Sequence, residues 1–295
     1  MNKSKYIGRI LRFLAVFYPS TGEKKIVQYN YISFLIFKVL MKFTQKKTYL
    51  SNPLKPVLMD DSKKIIWVFW LQGIENAPQI VKSVVHHNKQ LFSDNYNFKV
   101  INLEDAQLLV NIPDFIMIKW NAGNISNTQL SDFIRLQLLI EYGGLWIDAT
   151  VLSSTSTIPK YMTFNSPFMY STYGRVDSAL TSSNWLIYSE ADDSLLKKTR
   201  DILFRYWEKY NFEIHYLQFY FAFTMVSKKD KKWEEVIRIS NNQSGILQSM
   251  LFEPYVKEKF DIYYQAADFH KITYKLIDDT DYFSNFNFLS DFDLK

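Results

Sequence analysis

The spacing of apolar and polar residues changes character several times along the chain, and each change marks an element. Ile65-Ile66-Trp67-Val68-Phe69-Trp70-Leu71 is an unbroken apolar run rich in β-branched and aromatic residues. It predicts a strand buried on both faces, as in a parallel sheet. Residues 72–77 predict a loop, and Pro78 suits the first turn of a helix to about Leu91, with Ile80, Val81, Val84 and Val85 on one side. Residues 98–101 predict a second strand, and Pro113 opens a helix to about Trp120. Ser126 and Gln129 have the spacing of a capping box before a helix that runs to about Tyr142, its apolar side made by Leu130, Phe133, Ile134, Leu138 and Leu139. Gly143 and Gly144 supply a left-handed stop. Leu145-Trp146-Ile147 then predicts a short strand, with Asp148-Ala149-Thr150 at its carboxyl end, where open α/β sheets place their ligands. Further on, residues 168–170 and 185–188 predict strands. Residues 194–210 predict a helix capped by Asp192 or Asp193, and 213–226 a very aromatic helix. Strands alternating with helices imply an α/β fold with parallel strands.

The first sixty residues follow a different pattern. Two apolar stretches, 10–18 and 31–41, are each interrupted by a basic residue, and neither is long enough for a spanning helix. Lys3, Lys5, Arg9 and Arg12 flank or enter the first, and Lys38, Lys42, Lys46 and Lys47 the second. Apolar and basic residues interleaved at helical spacing predict helices lying in a membrane interface, against the plainer expectation that they pack on the body with their lysines in water. Arg12 and the lack of a small-x-small site argue against a signal peptide. Pro53 and Pro56 mark an extended linker, which places a domain boundary near residue 60. Charge divides at the same point. Residues 1–59 hold 11 Lys or Arg and one acid, Glu23, whereas residues 60–295 hold 24 basic and 29 acidic residues. The chain is therefore read as a basic helical arm, 1–59, and a mildly acidic α/β domain, 60–295, with no charge basis for nucleic-acid binding.

Composition removes several classes of chemistry. There is no Cys, so no disulfide, thiolate zinc site or Cys nucleophile. Only 8 Gly occur in 295 residues, and neither a dinucleotide fingerprint nor a P-loop is present. The four His residues make no H-E-x-x-H. What remains is a polar cluster on an apolar scaffold. Asp132 and Arg135, three apart, share one helical face next to Asp148 at its strand end. Singly, Asp132–Arg135 reads as a surface pair and Asp148 as a loop-starting Asp. Together they can hydrogen-bond sugar hydroxyls or hold a metal diphosphate.

The segments Ser131-Asp132-Phe133-Ile134-Arg135-Leu136 and Tyr142-Gly143-Gly144-Leu145-Trp146-Ile147-Asp148-Ala149-Thr150 resemble the sugar-binding region of DXD glycosyltransferases of the family-32-like group, and within it the bacterial capsular polysaccharide synthesis proteins. Ile66–Gly73 resembles that group's first strand and nucleotide loop, and Lys271-Ile272-Thr273-Tyr274-Lys275 resembles a C-terminal motif of the capsular proteins. The similarity spans about residues 62–280. It implies a GT-A-like fold, an open, mostly parallel sheet flanked by helices, and a nucleotide-sugar donor. By this resemblance Asp132 and Arg135 bind donor-sugar hydroxyls, Asp148 matches the first DXD carboxylate and a tentative metal position, and Trp70 stacks near the nucleobase. Gly143, Gly144 and Thr150 belong to the same donor-binding region.

Two departures from the group's pattern stand out. Thr150 replaces the second carboxylate, which leaves Mn²⁺ or Mg²⁺ dependence open. His215-Tyr216-Leu217 stands where relatives carry Asp-Tyr-Phe. His270, Lys271 and Lys275 are candidates to neutralise the diphosphate in a metal's place. The resemblance points to a retaining transferase that adds a sugar to a lipid-linked oligosaccharide for capsular or extracellular polysaccharide, peripheral at the cytoplasmic face of the cell membrane. Its partners would be the donor, that acceptor and an anionic bilayer. A toxin-like protein glycosyltransferase and a non-catalytic nucleotide-sugar-binding subunit are the alternatives.

Overall fold

A computed structural model describes residues 23–50, 62–172, 179–250 and 256–274. The first apolar stretch, the linker prolines, the boundary near residue 60 and Lys275 lie outside the described residues. In chain order the principal elements are α1 (Glu23–Lys42), β1 (Ile65–Phe69), α2 (Gln79–Phe92), β2 (Asn97–Ile101), α3 (Leu103–Leu109), α4 (Asp114–Asn121), α5 (Asn127–Tyr142), β3 (Gly144–Ile147), β4 (Val151–Ser153), β5 (Phe168–Ser171), β6 (Ser182–Ser189), α6 (Ser194–Lys209), α7 (Gln218–Ser227), α8 (Lys257–Gln265) and β7 (Phe269–Lys271).

β1 explains the layering. Its alternate residues point to opposite faces. Trp67 and Phe69 enter a core shared with α1, α5, α6 and α7, while Ile66 and Val68 enter a second core against α2. The sheet order is β2-β1-β3-β6-β5. β1 pairs parallel with β2 and β3, but β6 pairs antiparallel with both β3 and β5. The sheet is thus mixed, parallel in one half only. The ten residues that separate β5 from β6 are too few for the crossover a parallel pair needs. Two other elements differ from the sequence expectation. α3 is an unpredicted helix held by a capping box between Asn102 and Asp105, and the aromatic helix α7 starts five residues later than expected.

α5 begins where Ser126 Oγ accepts the Gln129 N–H at 3.3 Å and stops at Gly143, whose φ is 66°. Gly144 follows at φ 98°. A Cβ at Gly144 would lie 2.4 Å from the Ile65 carbonyl oxygen, and one at Gly143 would lie 2.7 Å from the Ala191 nitrogen. Both glycines are therefore demanded by the packing of β3 between its neighbours.

α1 is built into the body. Phe34, Phe37 and Met41 are buried in the core with α6 and α7. The Tyr210 hydroxyl donates to the Leu40 carbonyl at 3.1 Å, and the Tyr49 hydroxyl donates to Glu208 at 2.8 Å. The second half of the expected arm is therefore part of the hydrophobic core, because its inward side chains match the aromatic surface of α6 and α7. Phe37→Ala should cost about 3 kcal/mol, whereas Val39→Ala on the outward side should cost close to nothing. Equal midpoints of the two variants in urea denaturation would contradict this seating.

Candidate active site

The carboxyl ends of β1 and β3, the first half of α5 and the strand pair β4–β7 surround a cleft of about 480 Å³. β3 delivers Asp148 to its floor. β4 and β7 pair antiparallel, with Val151 opposite Lys271, and the Ile272 N–H donates to the Thr150 carbonyl at 3.1 Å. A residue more than a hundred positions away thereby reaches Asp148.

The polar groups form one chain of alternating charge. Arg135 Nη1 donates to Asp132 Oδ1 at 2.8 Å, and Arg135 Nη2 donates to Asp148 Oδ1 at 2.9 Å. Lys271 Nζ donates to Asp148 Oδ2 at 2.8 Å and to Thr150 Oγ1 at 2.6 Å. Trp146 Nε1 donates to Asp148 Oδ1 at 3.1 Å, and the Arg135 guanidinium lies 4.7 Å from the centre of the Trp146 ring. Behind Asp132, Asn184 Nδ2 donates to Oδ1 at 2.8 Å, and the Tyr220 hydroxyl donates to Asn184 Oδ1 at 2.7 Å. Asp148 and Lys271 remain open to the cleft, with side chains 27% and 32% exposed.

Depth sets the electrostatics. Asp132 is buried, and burial raises its pKa to about 7 despite Arg135. Burial also works against the charged form of Asp148, but Lys271 and Arg135 outweigh it and hold its pKa below the usual carboxylate range. For Asp132 the folded pKa stands above the unfolded one. Its contribution to stability is therefore complete below about pH 4 and is lost as pH rises through about 7. The stability of the parent relative to Asp132→Asn should fall between pH 5 and pH 8 (paired urea midpoints test this). A parent advantage that grew across that range would contradict the assignment.

Several expected residues change place or role. Asp132 and Arg135 are buried, at 3% and 4% exposure, and do not form a surface pair. Arg135 still lines the cleft, while Asp132 stands behind it and acts by positioning it. Gly143 and Gly144 sit at the opposite end of β3 from Asp148, about 13 Å along an extended strand. They shape the strand entry and do not touch the cleft. Trp70 is at the cleft wall, its ring edge-on to Tyr274 at 5.4 Å, and its Nε1 is a buried donor with no partner among the described residues. His270 faces away from Lys271, as neighbours on a strand do. It is fully buried, with Nε2 at 2.9 Å from the Tyr264 carbonyl, and burial lowers its pKa. It supplies no cation to the cleft. His215 packs at 4.7 Å from the Tyr29 ring of α1, and its Nδ1 accepts the Leu217 N–H at 2.9 Å, which leaves the neighbouring Tyr216 to line the cleft. Asn184, Tyr220 and Trp146 were not singled out from the sequence. Only Trp146, two residues before Asp148, carried a local signal.

The oxygens at Asp148 and Thr150 that would hold a divalent cation are engaged by side chains of the chain itself. Both Asp148 oxygens and the Thr150 hydroxyl are engaged by Lys271, Arg135 and Trp146, and the described residues contain no cluster of three or more His, Cys, Asp or Glu side chains suited to a metal. At the tentative metal position, the Lys271 ammonium bridges Asp148 and Thr150.

Fold and cleft together are those of an α/β protein with a charged cleft at the carboxyl ends of its strands. The sequence profile of capsular polysaccharide synthesis proteins matches residues 20–288, and the chain belongs to that family. It is 29% identical over 107 residues to the O-glycosyltransferase PaGT of Phomopsis amygdali, covering 34% of this chain and 26% of that protein. It is 30% identical over 106 residues to the glycosyltransferase afumC of Aspergillus fumigatus (strain CBS 144.89 / FGSC A1163 / CEA10), covering 33% and 27%. The chain thus spans about a quarter of the length of these curated relatives. Among solved structures, the PaToxG glycosyltransferase aligns over 88% of this chain and 92% of its own, at 15% identity and a TM-score of 0.40.

Proposed function

We propose that the chain is a glycosyltransferase that moves a sugar from a nucleotide-sugar donor to a lipid-linked oligosaccharide in capsular or extracellular polysaccharide synthesis, with retention at the anomeric carbon. The observation that carries this reading is the Arg135–Asp148–Lys271 cluster, open to a cleft with an aromatic wall. Family membership and the two glycosyltransferase relatives support it. In transfer the acceptor oxygen bonds to the anomeric carbon and gives its proton to the departing diphosphate oxygen. The bond from that carbon to the diphosphate oxygen breaks, and negative charge gathers on the diphosphate. Lys271 is the exposed cation that meets this charge without a metal. Arg135, held from behind by Asp132 and Asn184, fixes the sugar and the Asp148 carboxylate. Asp148 is the one carboxylate among the described residues that line the cleft, and both its oxygens are paired, so it binds and orients and does not act as a base. Trp70 and Tyr274 offer ring surface to the nucleobase.

Thermal shift and donor hydrolysis across a panel of nucleotide sugars in EDTA test the reading. One nucleotide class should stabilise the chain and be hydrolysed slowly to the nucleoside diphosphate. No shift with any of them would remove the donor from the proposal.

A further inference from the structure

A second and larger hollow, about 750 Å³, lies between α1, α6 and α7. Seven Lys or Arg side chains line it against two carboxylates, over a floor that includes Met41, Ile202, Met225 and Val226. The carboxylates are already engaged, Asp201 by Arg200 at 2.8 Å and Asp230 by Lys198 at 3.4 Å. Lys42, Lys46 and Lys229 have no ion-pair partner among the described residues.

The outward side of α1 borders this hollow and carries an independent signal. The helix buries Asn30, Ser33, Phe34, Phe37 and Met41 towards the body. Its other side exposes Tyr31, Leu35, Val39 and, just past its end, Phe43, at 45%, 40%, 50% and 64%. These positions repeat every four residues and form one stripe, with Lys38 and Lys42 among them. No helix of the described residues is long and apolar enough to cross a membrane.

We infer that the cationic hollow and the outward stripe of α1 together form a face that binds an anionic phospholipid bilayer. Headgroup phosphates enter the lysine rim, and Tyr31, Leu35, Val39 and Phe43 enter the acyl boundary with α1 lying in the plane of the interface. A soluble polyanion would satisfy the rim but leave the stripe in water, and a neutral apolar partner would leave the lysines uncompensated. The bilayer matches both. The face is also tied to the cleft. α7 carries Tyr220, which supports Asn184, near its start and Met225 and Val226 of the hollow near its end, and the helix is about 15 Å long.

Co-sedimentation of the full chain with phosphatidylcholine vesicles, with and without a minor fraction of phosphatidylglycerol, tests the face without reference to sugar transfer. The chain should bind the anionic vesicles only, and binding should fall with added salt. A Lys42→Ala/Lys229→Ala variant should lose roughly twenty-five-fold in partitioning, on the order of fivefold per lysine. Leu35→Ser/Val39→Ser should weaken binding at every salt concentration. All these side chains are exposed, so cooperative melting by circular dichroism should match the parent in both variants. Equal binding to neutral vesicles, or anionic binding untouched by both variants, overturns the proposal. A dimer that the serine variant abolishes, without vesicle binding, overturns it in favour of a second copy covering the stripe.

Discussion

Arg135→Ala should abolish donor turnover and, unlike a change at a surface ion pair, should also lower folding stability by about 3–5 kcal/mol. The guanidinium is the hub of the site. It donates to Asp132 at 2.8 Å and to Asp148 at 2.9 Å, and it lies on the Trp146 ring. Without it, Asp132 is a buried carboxylate with only Asn184 to satisfy it, and Asp148 keeps a single cation. At the few degrees per kcal/mol expected for a chain of this size, the melting temperature should drop by on the order of 10 °C. Arg135→Lys should recover much of the stability but little of the turnover, since an ammonium cannot donate to both carboxylates in the guanidinium's planar geometry. Chemical denaturation and single-turnover donor hydrolysis measure the two effects separately. Parental values of both in Arg135→Ala would show that the cluster neither holds the fold nor binds the sugar.

Lys271→Ala should reduce turnover by about a hundredfold to a thousandfold, the usual consequence of removing one group aimed at charge that develops in a transition state. Excess EDTA should leave the parent unchanged. The reason is geometric: Nζ bridges Asp148 Oδ2 at 2.8 Å and Thr150 Oγ1 at 2.6 Å, and so engages the oxygens that a divalent ion would need. Folding should be nearly unaffected, because the lysine side chain is 32% exposed and water replaces it. Loss of parental activity in EDTA, restored by Mn²⁺ and reproduced by Asp148→Asn, would reject the lysine assignment. In Lys271→Ala the freed Asp148 and Thr150 should give whatever residual activity remains a new response to Mn²⁺.

The sequence made the parts governed by local rules readable. The apolar run of β1 and the Ser126 cap each follow from neighbouring residues, and so does the glycine stop after α5. The Asp132–Arg135–Asp148 grouping was legible for the same reason, because one helix and the strand that follows it carry all three. What could not be read is what pairing at a distance decides. The antiparallel addition of β6 brings Asn184 behind Asp132, and α7 brings Tyr220 behind Asn184. Nothing near either residue announces this. Burial was misjudged for a related reason: a helix carrying Asp and Arg reads as having a wet face until α6, α7 and the sheet close over it. His270 and Lys271 show the opposite case. Adjacent in sequence and both basic, they are separated by strand alternation into core and cleft.

On the proposed function, the double occupancy of Asp148 by Arg135 and Lys271 makes donor capture a process of ion exchange. A diphosphate reaches Lys271 by drawing it away from the carboxylate, so one anion replaces another at the same ammonium. The gain is the difference between two attractions of like sign. Simple phosphate or sulfate should therefore bind poorly at this cleft despite its cations. A ligand prevails only when base stacking and sugar contacts add to its phosphates. On that reading the internal carboxylate acts as a built-in competitor, and it sets a threshold that separates a whole nucleotide sugar from the small anions around it.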